Sequence, residues 1–349
     1  MNKFSLLLFC CTLVLLSCKT STTTLLVLQP AEMVVPEHIQ TIATIDRSKP
    51  AKGFGSFLEG LITGEDIDQD PEGRRRAVNG LTIMLTKTPR FTVRHTDITL
   101  TGSNNGNRMT APLSWQKIEK ICRDYDADAV VAIESFDSDN SLSTRERTRT
   151  KKDKEGNEYI ETYYEAQSDI DLRMGWRFYD PKNRVILDEF SVRERGGDEN
   201  TGNTAEIAAN NLARPDRLVQ DVAYLIGEEY GARIAPIWIT VQRNFYKSVK
   251  GVEQSVMEKA ARYAETDNWD QAAEIWKKVV ARQDPEAAGK AAHNMAVTSE
   301  RAGQLLIAKD WANKAYLEFN NKSDKSFIRT LDLRIEEQEQ VKRQMQTGN

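Results

Sequence analysis

The chain is 349 residues long with a formal net charge of −4. That length allows two cores of ordinary size, and the slight acidic balance excludes a general electrostatic affinity for nucleic acid. Of the four cysteines only Cys122 lies beyond position 18, which excludes a disulfide framework or a cysteine-based metal site in the body of the protein.

Lys3 is followed by a nearly unbroken apolar stretch from Phe4 to Leu16, the form of a signal-peptide core. As a helix it would span about 20 Å, against roughly 30 Å for the hydrocarbon layer of a bilayer, too short for a permanent span. Leu15-Leu16-Ser17-Cys18 then resembles a bacterial lipobox, which implies cleavage before Cys18 and acylation through its sulfur. Each buried acyl methylene contributes about 0.8 kcal/mol, so two or three chains hold a protein firmly on a membrane. The expected organisation is a signal peptide over residues 1–17, a lipidated Cys18 with a tether over 18–36, an α/β domain over 37–250 and helices over 251–349. Within the tether, Lys19 to Thr24 read as a polar linker.

Ile39 to Ile45 alternate as a mostly buried strand, Val78, Leu81 and Leu85 follow helical spacing, and Arg90 to His95 read as a second strand. Ser114 is placed to cap a helix over Trp115 to Tyr125, although Lys117 stands where a capping box would have Glu. Cys122 lies in that helix as a small buried side chain rather than a nucleophile. Ala129 to Ile133 form a continuous apolar run, as expected of a central strand covered on both faces. The order strand, helix, strand, helix, strand predicts a layered α/β core.

Hairpins follow. A turn at Lys154-Glu155-Gly156 sets Arg145 opposite Glu165 and Arg149 opposite Glu161, with Arg147 and Lys151 opposite Tyr163 and Tyr159. The run of basic residues from Arg145 to Lys154 could be taken as a phosphate or headgroup patch, but the facing glutamates give it an internal, structural explanation. Ile170, Leu172, Met174, Trp176 and Phe178 share one face of a half-buried strand. Asp180 to Asn183 turn it back into Arg184 to Arg193, whose broken alternation points to a bulge. Gly196 to Thr204 read as a polar loop, Leu218 to Tyr230 as a helix limited by Pro236, and Ile237, Ile239 and Val241 as one more strand.

Beyond position 250 the pattern resembles a known repeat. Ala260, Tyr263, Trp269, Ala272 and Trp276 fall at the small and aromatic positions of a tetratricopeptide repeat, with Pro285 one residue from the usual closing proline. Ala296, Gly303, Leu305, Ala308 and Ala315 match a second copy, in which Ser299 and Ala312 depart from the pattern. A charged helix from Ser326 to Met345 is expected to cap the array. The fold class is therefore α+β: an N-terminal α/β sandwich domain with antiparallel hairpins, then an all-α tetratricopeptide-like region.

The lipobox, Pro30-Ala31 and Pro36, Asp46-Arg47-Ser48, Ala127 to Val131 and Arg233 to Pro236 together resemble an uncharacterised family of Bacteroidota lipoproteins with tetratricopeptide-like tails. That resemblance implies a place and no chemistry. The element order of the first domain is also similar to the periplasmic domains of curli-secretion-channel and penicillin-binding-protein-activator lipoproteins, an analogy of fold. Lys19-Thr20-Ser21 lacks the acidic residues that often mark surface export in such bacteria, which favours the periplasmic face of the outer membrane.

The sequence carries no phosphate-cradling glycine loop, HExxH or GxSxG. His38, His95 and His293 share no ligand spacing, and His293 reads as a surface or packing residue. Asp66, Asp68 and Asp70 begin like a calcium loop, but Pro71 and Ala77 stand where Gly and Glu are needed. No catalytic residue, cofactor or metal is expected. The leading expectation is a non-catalytic adaptor, tethered to a membrane by lipid on Cys18, that binds another envelope protein or peptide through its helices. A self-assembling or secretion-associated component is the alternative, and an envelope hydrolase stands behind both.

Overall fold

The computed structural model describes residues 20–49, 69–102, 108–282 and 284–345. Cys18, the signal segment and the Asp66 and Asp68 of the calcium-like pattern lie outside them. The chain divides into two compact units, one of residues 28–238 with 340–349 and the other of residues 1–27 with 239–339. This corrects the single boundary expected near Lys250. The reason lies at the N-terminus. Thr20–Gln29 are not a linker but a strand, β1, hydrogen-bonded to β7 (Ile237–Tyr246), which draws the start of the chain into the helical unit.

The first unit is built on a five-stranded sheet. Its strands are β2 (Thr41–Lys49), β3 (Thr92–Thr101), β4 (Ala129–Lys152), β5 (Glu158–Asp180) and β6 (Val185–Gly202), in the order β3-β2-β4-β5-β6. β3, β2 and β4 run parallel, and β4, β5 and β6 antiparallel. Alternate residues of the apolar run feed opposite faces. Ala129, Val131 and Ile133 join a core with α1 (Gln69–Thr86) and α4 (Pro215–Ile234), while Val130 and Ala132 join a second core with α2 (Trp115–Tyr125). A run without polar interruptions is what two covered faces require.

β5 sends Ile170, Leu172, Met174, Trp176 and Phe178 into the first core, where Trp176 stacks on Tyr230 of α4 at 4.9 Å between ring centroids. The α1 and α4 backbones meet at two glycines. A Cβ on Gly80 would lie 2.1 Å from the Tyr224 carbonyl oxygen, and one on Gly227 would lie 2.0 Å from that of Ala77.

Beyond the core, β4 and β5 continue as a ribbon with the expected register, Arg145 opposite Glu165 and Arg149 opposite Glu161. Its turn places Gly156 at φ +91°. The cations are paired along one face: Arg147 with Glu165 at 3.2 Å, and Arg149 and Lys151 with Glu161 at 2.5 and 2.8 Å. The β5–β6 register slips between Phe178 and Tyr179, where Leu187 is the extra residue of a bulge.

Three details differ from the sequence reading. Ser114 occupies the N-cap of α2 but its side chain makes no capping bond. β3 starts two residues later than expected and runs on to Thr101. Gly196 to Gly202 are not a loop: they continue β6 along β5 as far as Tyr164, beside the short helix α3 (Ala205–Asn210). The glycines fit there because neighbouring groups leave no room for a side chain. A Cβ on Gly202 would lie 2.5 Å from the Ala208 nitrogen.

The second unit contains the β1–β7 sheet and five helices, α5 (Gln254–Glu265), α6 (Trp269–Ala281), α7 (Pro285–Arg301), α8 (Leu305–Leu317) and α9 (Asp324–Met345), whose last turn falls in the first unit. Its core is made of small residues and a few large ones. Ala260, Ala272, Ala291, Ala292, Ala296, Ala308, Ala312 and Ala315 are buried with Trp276 and Phe245. Small side chains let adjacent helices approach closely, and the aromatics fill what remains. Pro285 opens α7 rather than closing the helix before it, with Asp284 accepting the Ala287 N–H at 2.9 Å as the N-cap.

Two expectations follow. Gly227→Ala forces the α1 and α4 backbones apart and lowers the free energy of unfolding by about 1–3 kcal/mol, read as a shift in urea midpoint. Burial pushes the Cys122 thiol up to about 12, so native protein alkylates there about a thousandfold more slowly at neutral pH than an ordinary thiol. The same shift contributes stability that is complete below the ordinary thiol value of 9.0 and is lost as pH rises through about 12. Peptide mapping after alkylation, with and without urea, checks the first effect, and unfolding midpoints in alkaline buffers check the second.

Candidate functional site

Three places in the structure gather chemistry-bearing side chains. The first lies in the sheet unit. β4 bulges between Ile133 and Ser135, which re-aims its side chains. Glu134 is fully buried there, with Tyr179 Oη donating to Oε1 at 2.5 Å, and Arg47 and Arg177 donating to Oε2 at 2.6 and 3.3 Å. Both guanidiniums also hold the segment before α2, Arg47 through the Ala111 carbonyl at 2.8 Å and Arg177 through that of Thr110 at 2.6 Å. Burial raises the Glu134 carboxyl above its ordinary value, against the lowering effect of Tyr179 and the two arginines. Burial likewise pushes Tyr179 up to about 12. Every Glu134 oxygen is engaged by a protein donor, so the arrangement works as a clamp between sheet and loop.

The second place is a cleft of about 360 Å³ in the helical unit, walled by the end of β7, α7 and α9, and including Thr20. His293 lies in it with 12% of its side chain exposed; Nδ1 is 2.8 Å from Asp324 and Nε2 is 3.0 Å from the Asn244 carbonyl. Its neighbour Asn294 is fully buried, accepts the Tyr246 N–H at 2.7 Å and donates to the Tyr246 carbonyl at 2.8 Å. Arg243 forks onto the buried Glu300 at 2.7 and 2.8 Å. These polar groups fasten the β7 backbone to α7 and α9, which gives His293 a packing role.

The third place is a groove of about 550 Å³ between α6 and α8, floored by Val280, Ala281, Pro285, Trp311 and Phe319 and rimmed by Lys277. On the same helix as Trp311, Leu306, Ile307 and Leu317 are 68%, 47% and 73% exposed. An apolar floor with a charged rim has the composition of a protein-docking surface.

The residues singled out from the sequence form the interior beneath these surfaces. Ala260, Ala272, Trp276, Ala296, Ala308 and Ala315 are fully buried, Trp269 nearly so, and Tyr263 partly; Gly303 turns between α7 and α8 at φ +75°. Leu306, Ile307 and Leu317 were missed, although their spacing in a helix with an alanine-rich inner face marks them as outward-facing; Trp311, partly buried against the core, was missed with them. His38 is 3.1 Å from the buried Asp180, and His95 is exposed on β3. Among the described residues no group of three or more His, Cys, Asp and Glu is placed to hold a metal ion, and no helix is long and apolar enough to cross a membrane.

No curated protein matches the chain. Among solved structures, a PelC dodecamer from Paraburkholderia phytofirmans is 11% identical, covering 62% of this chain and 99% of its own, with a TM-score of 0.27. A neuraminyllactose-binding hemagglutinin homolog from Helicobacter pylori is 10% identical over 56% of this chain and 83% of its own, with a TM-score of 0.23. Lipoprotein GNA1162 from Neisseria meningitidis is 12% identical over 55% and 98%, with a TM-score of 0.21. Scores this low carry no argument about this chain. Family models match twice, as Domain of unknown function (DUF8603) over residues 39–246 and Domain of unknown function (DUF6340) over residues 258–344. Since the first match takes in more than half of the sequence, the chain belongs to the family described as Domain of unknown function (DUF8603).

Proposed function

We propose that this protein is a lipid-anchored envelope lipoprotein, held on the periplasmic face of the outer membrane through Cys18, that acts as a non-catalytic adaptor for another envelope protein. The helix pairs α5–α6 and α7–α8 serve as tetratricopeptide-like repeats whose outer surface receives the partner. The reading of place rests on Leu15-Leu16-Ser17-Cys18 and on the absence of acidic residues in Lys19-Thr20-Ser21.

One observation carries the adaptor reading: α8 contributes Trp311 to an apolar-floored groove and, elsewhere on its surface, exposes Leu306, Ile307 and Leu317. Three exposed aliphatics on one 13-residue helix that also lines an apolar groove are more than a helix facing only water needs, and a partner seated in the groove and along α8 would remove them from water.

Crosslinking in cells, followed by identification of the attached proteins, tests this. The wild type is expected to capture a consistent envelope partner. Trp311→Ala and Leu317→Glu should each reduce its recovery about tenfold or more, the scale of an interface hot spot, with the urea midpoint of Leu317→Glu, an exposed position, close to wild type. Undiminished capture by both variants, or by a chain lacking residues 251–349, would overturn the reading.

A further inference from the structure

The anchor and the fold are closer together than a tether would leave them. Strand β1 begins at Thr20, two residues after Cys18, and two residues of extended chain reach at most about 7 Å. A lipid on Cys18 therefore fixes the end of β1 at the bilayer surface with no spacer. Thr20 also forms part of the cleft lined by Tyr246, Ser323, Ser326 and Thr330.

A basic stripe borders that cleft. Ser326 and Thr330 are one helical step apart on α9, and Lys325 and Arg329 occupy the preceding positions, four residues apart on the adjoining face. Lys325 and Arg329 are exposed, as is Lys322 just before the helix, and none of the three has an ion-pair partner among the described residues. Asp324 between them is buried against His293 rather than offered to these cations. Lys19 adds a fourth positive charge beside the anchor. Elsewhere in the protein, basic runs are answered by facing glutamates, as on the β4–β5 ribbon.

We propose that the face of the helical unit formed by Thr20, Ser326, Thr330, Lys322, Lys325 and Arg329 is a docking surface for anionic lipid headgroups. The inference rests on the anchoring of Cys18 proposed above. Unpaired lysines and arginines beside a lipidated residue meet headgroup phosphates at the distance where their attraction is least screened.

The test uses the full lipidated protein carrying Ser326→Cys labelled with an environment-sensitive fluorophore; Cys122 is buried and stays unlabelled. It is reconstituted on vesicles of phosphatidylcholine alone or mixed with phosphatidylglycerol. On the mixed vesicles the label should shift to shorter wavelength and be several-fold slower to react with dithionite. The triple change K322E, K325E, R329E should abolish both effects while the protein still floats with the vesicles. Without an anchor, the same triple change in the Cys18→Ser protein should weaken binding to mixed vesicles about a hundredfold. Identical label behaviour on both vesicle types, insensitivity to the triple change, or the same shift produced on neutral vesicles by inorganic phosphate would each overturn the docking surface. Flotation reads the anchor separately: if Cys18→Ser floats on neutral vesicles as well as the wild type does, the anchoring reading fails instead.

Discussion

Burial of Ala129 to Phe136 on both sides is the constraint on which the sheet unit depends. No residue of that run has measurable exposure. A strand in that position needs a parallel neighbour, an antiparallel neighbour and a helical layer above and below, and β2, β5, the α1/α4 pair and α2 supply them. The constraint also explains the most conspicuous polar group in the unit. Glu134 is carried into the interior by the strand that holds it, and a buried carboxylate is tolerated only where donors satisfy it. Tyr179, Arg47 and Arg177 do so, and the two arginines also reach the Ala111 and Thr110 carbonyls. The result is a locked loop, built from residues that in an open cleft would suggest acid–base chemistry.

The helical unit solves a different problem. Its alanine-rich interior permits close helix packing but supplies little apolar area per residue, and Trp276, Trp269 and Phe245 make up for it by filling the space between helices. His293 and Asn294 add directed bonds that hold the end of β7 against α7. Beside that interior lie the groove, whose Trp311 and Phe319 also pack against the core, and the exposed stripe at Lys325 and Arg329.

Much of the architecture was legible in the sequence. The apolar run named the central strand, and the glycine turn fixed every cross-strand partner of the ribbon, because in a hairpin one turn residue determines the whole register. The alanines and tryptophans of the helical unit showed its interior. What escaped did so for physical reasons. Thr22 to Thr24 carry β-branched side chains, but Thr20 to Thr24 show no alternation of apolar and polar residues, so nothing marked them as a strand until β7 supplied a partner. The end of β6 was hidden by glycines, which usually signal a loop and here make room for α3. The Glu134 cluster joins residues far apart in the chain, on a bulge that periodicity cannot locate. Inward and outward positions of α8 were readable, but which outward positions matter depends on the groove that α6 completes.

Place and partner are linked in this account. In the proposed reading the first strand begins two residues from an acylated cysteine, which would hold that end at the bilayer and restrict the groove at Trp311 to partners within reach of that layer. The most direct measurement is therefore the mass of the N-terminal peptide from protein purified out of its native membrane. The account predicts a chain that starts at Cys18 and carries a thioether-linked diacylglycerol, with or without a further acyl group on the amine. A chain that retains residues 1–17, or one that starts at residue 18 with an unmodified thiol, would contradict it.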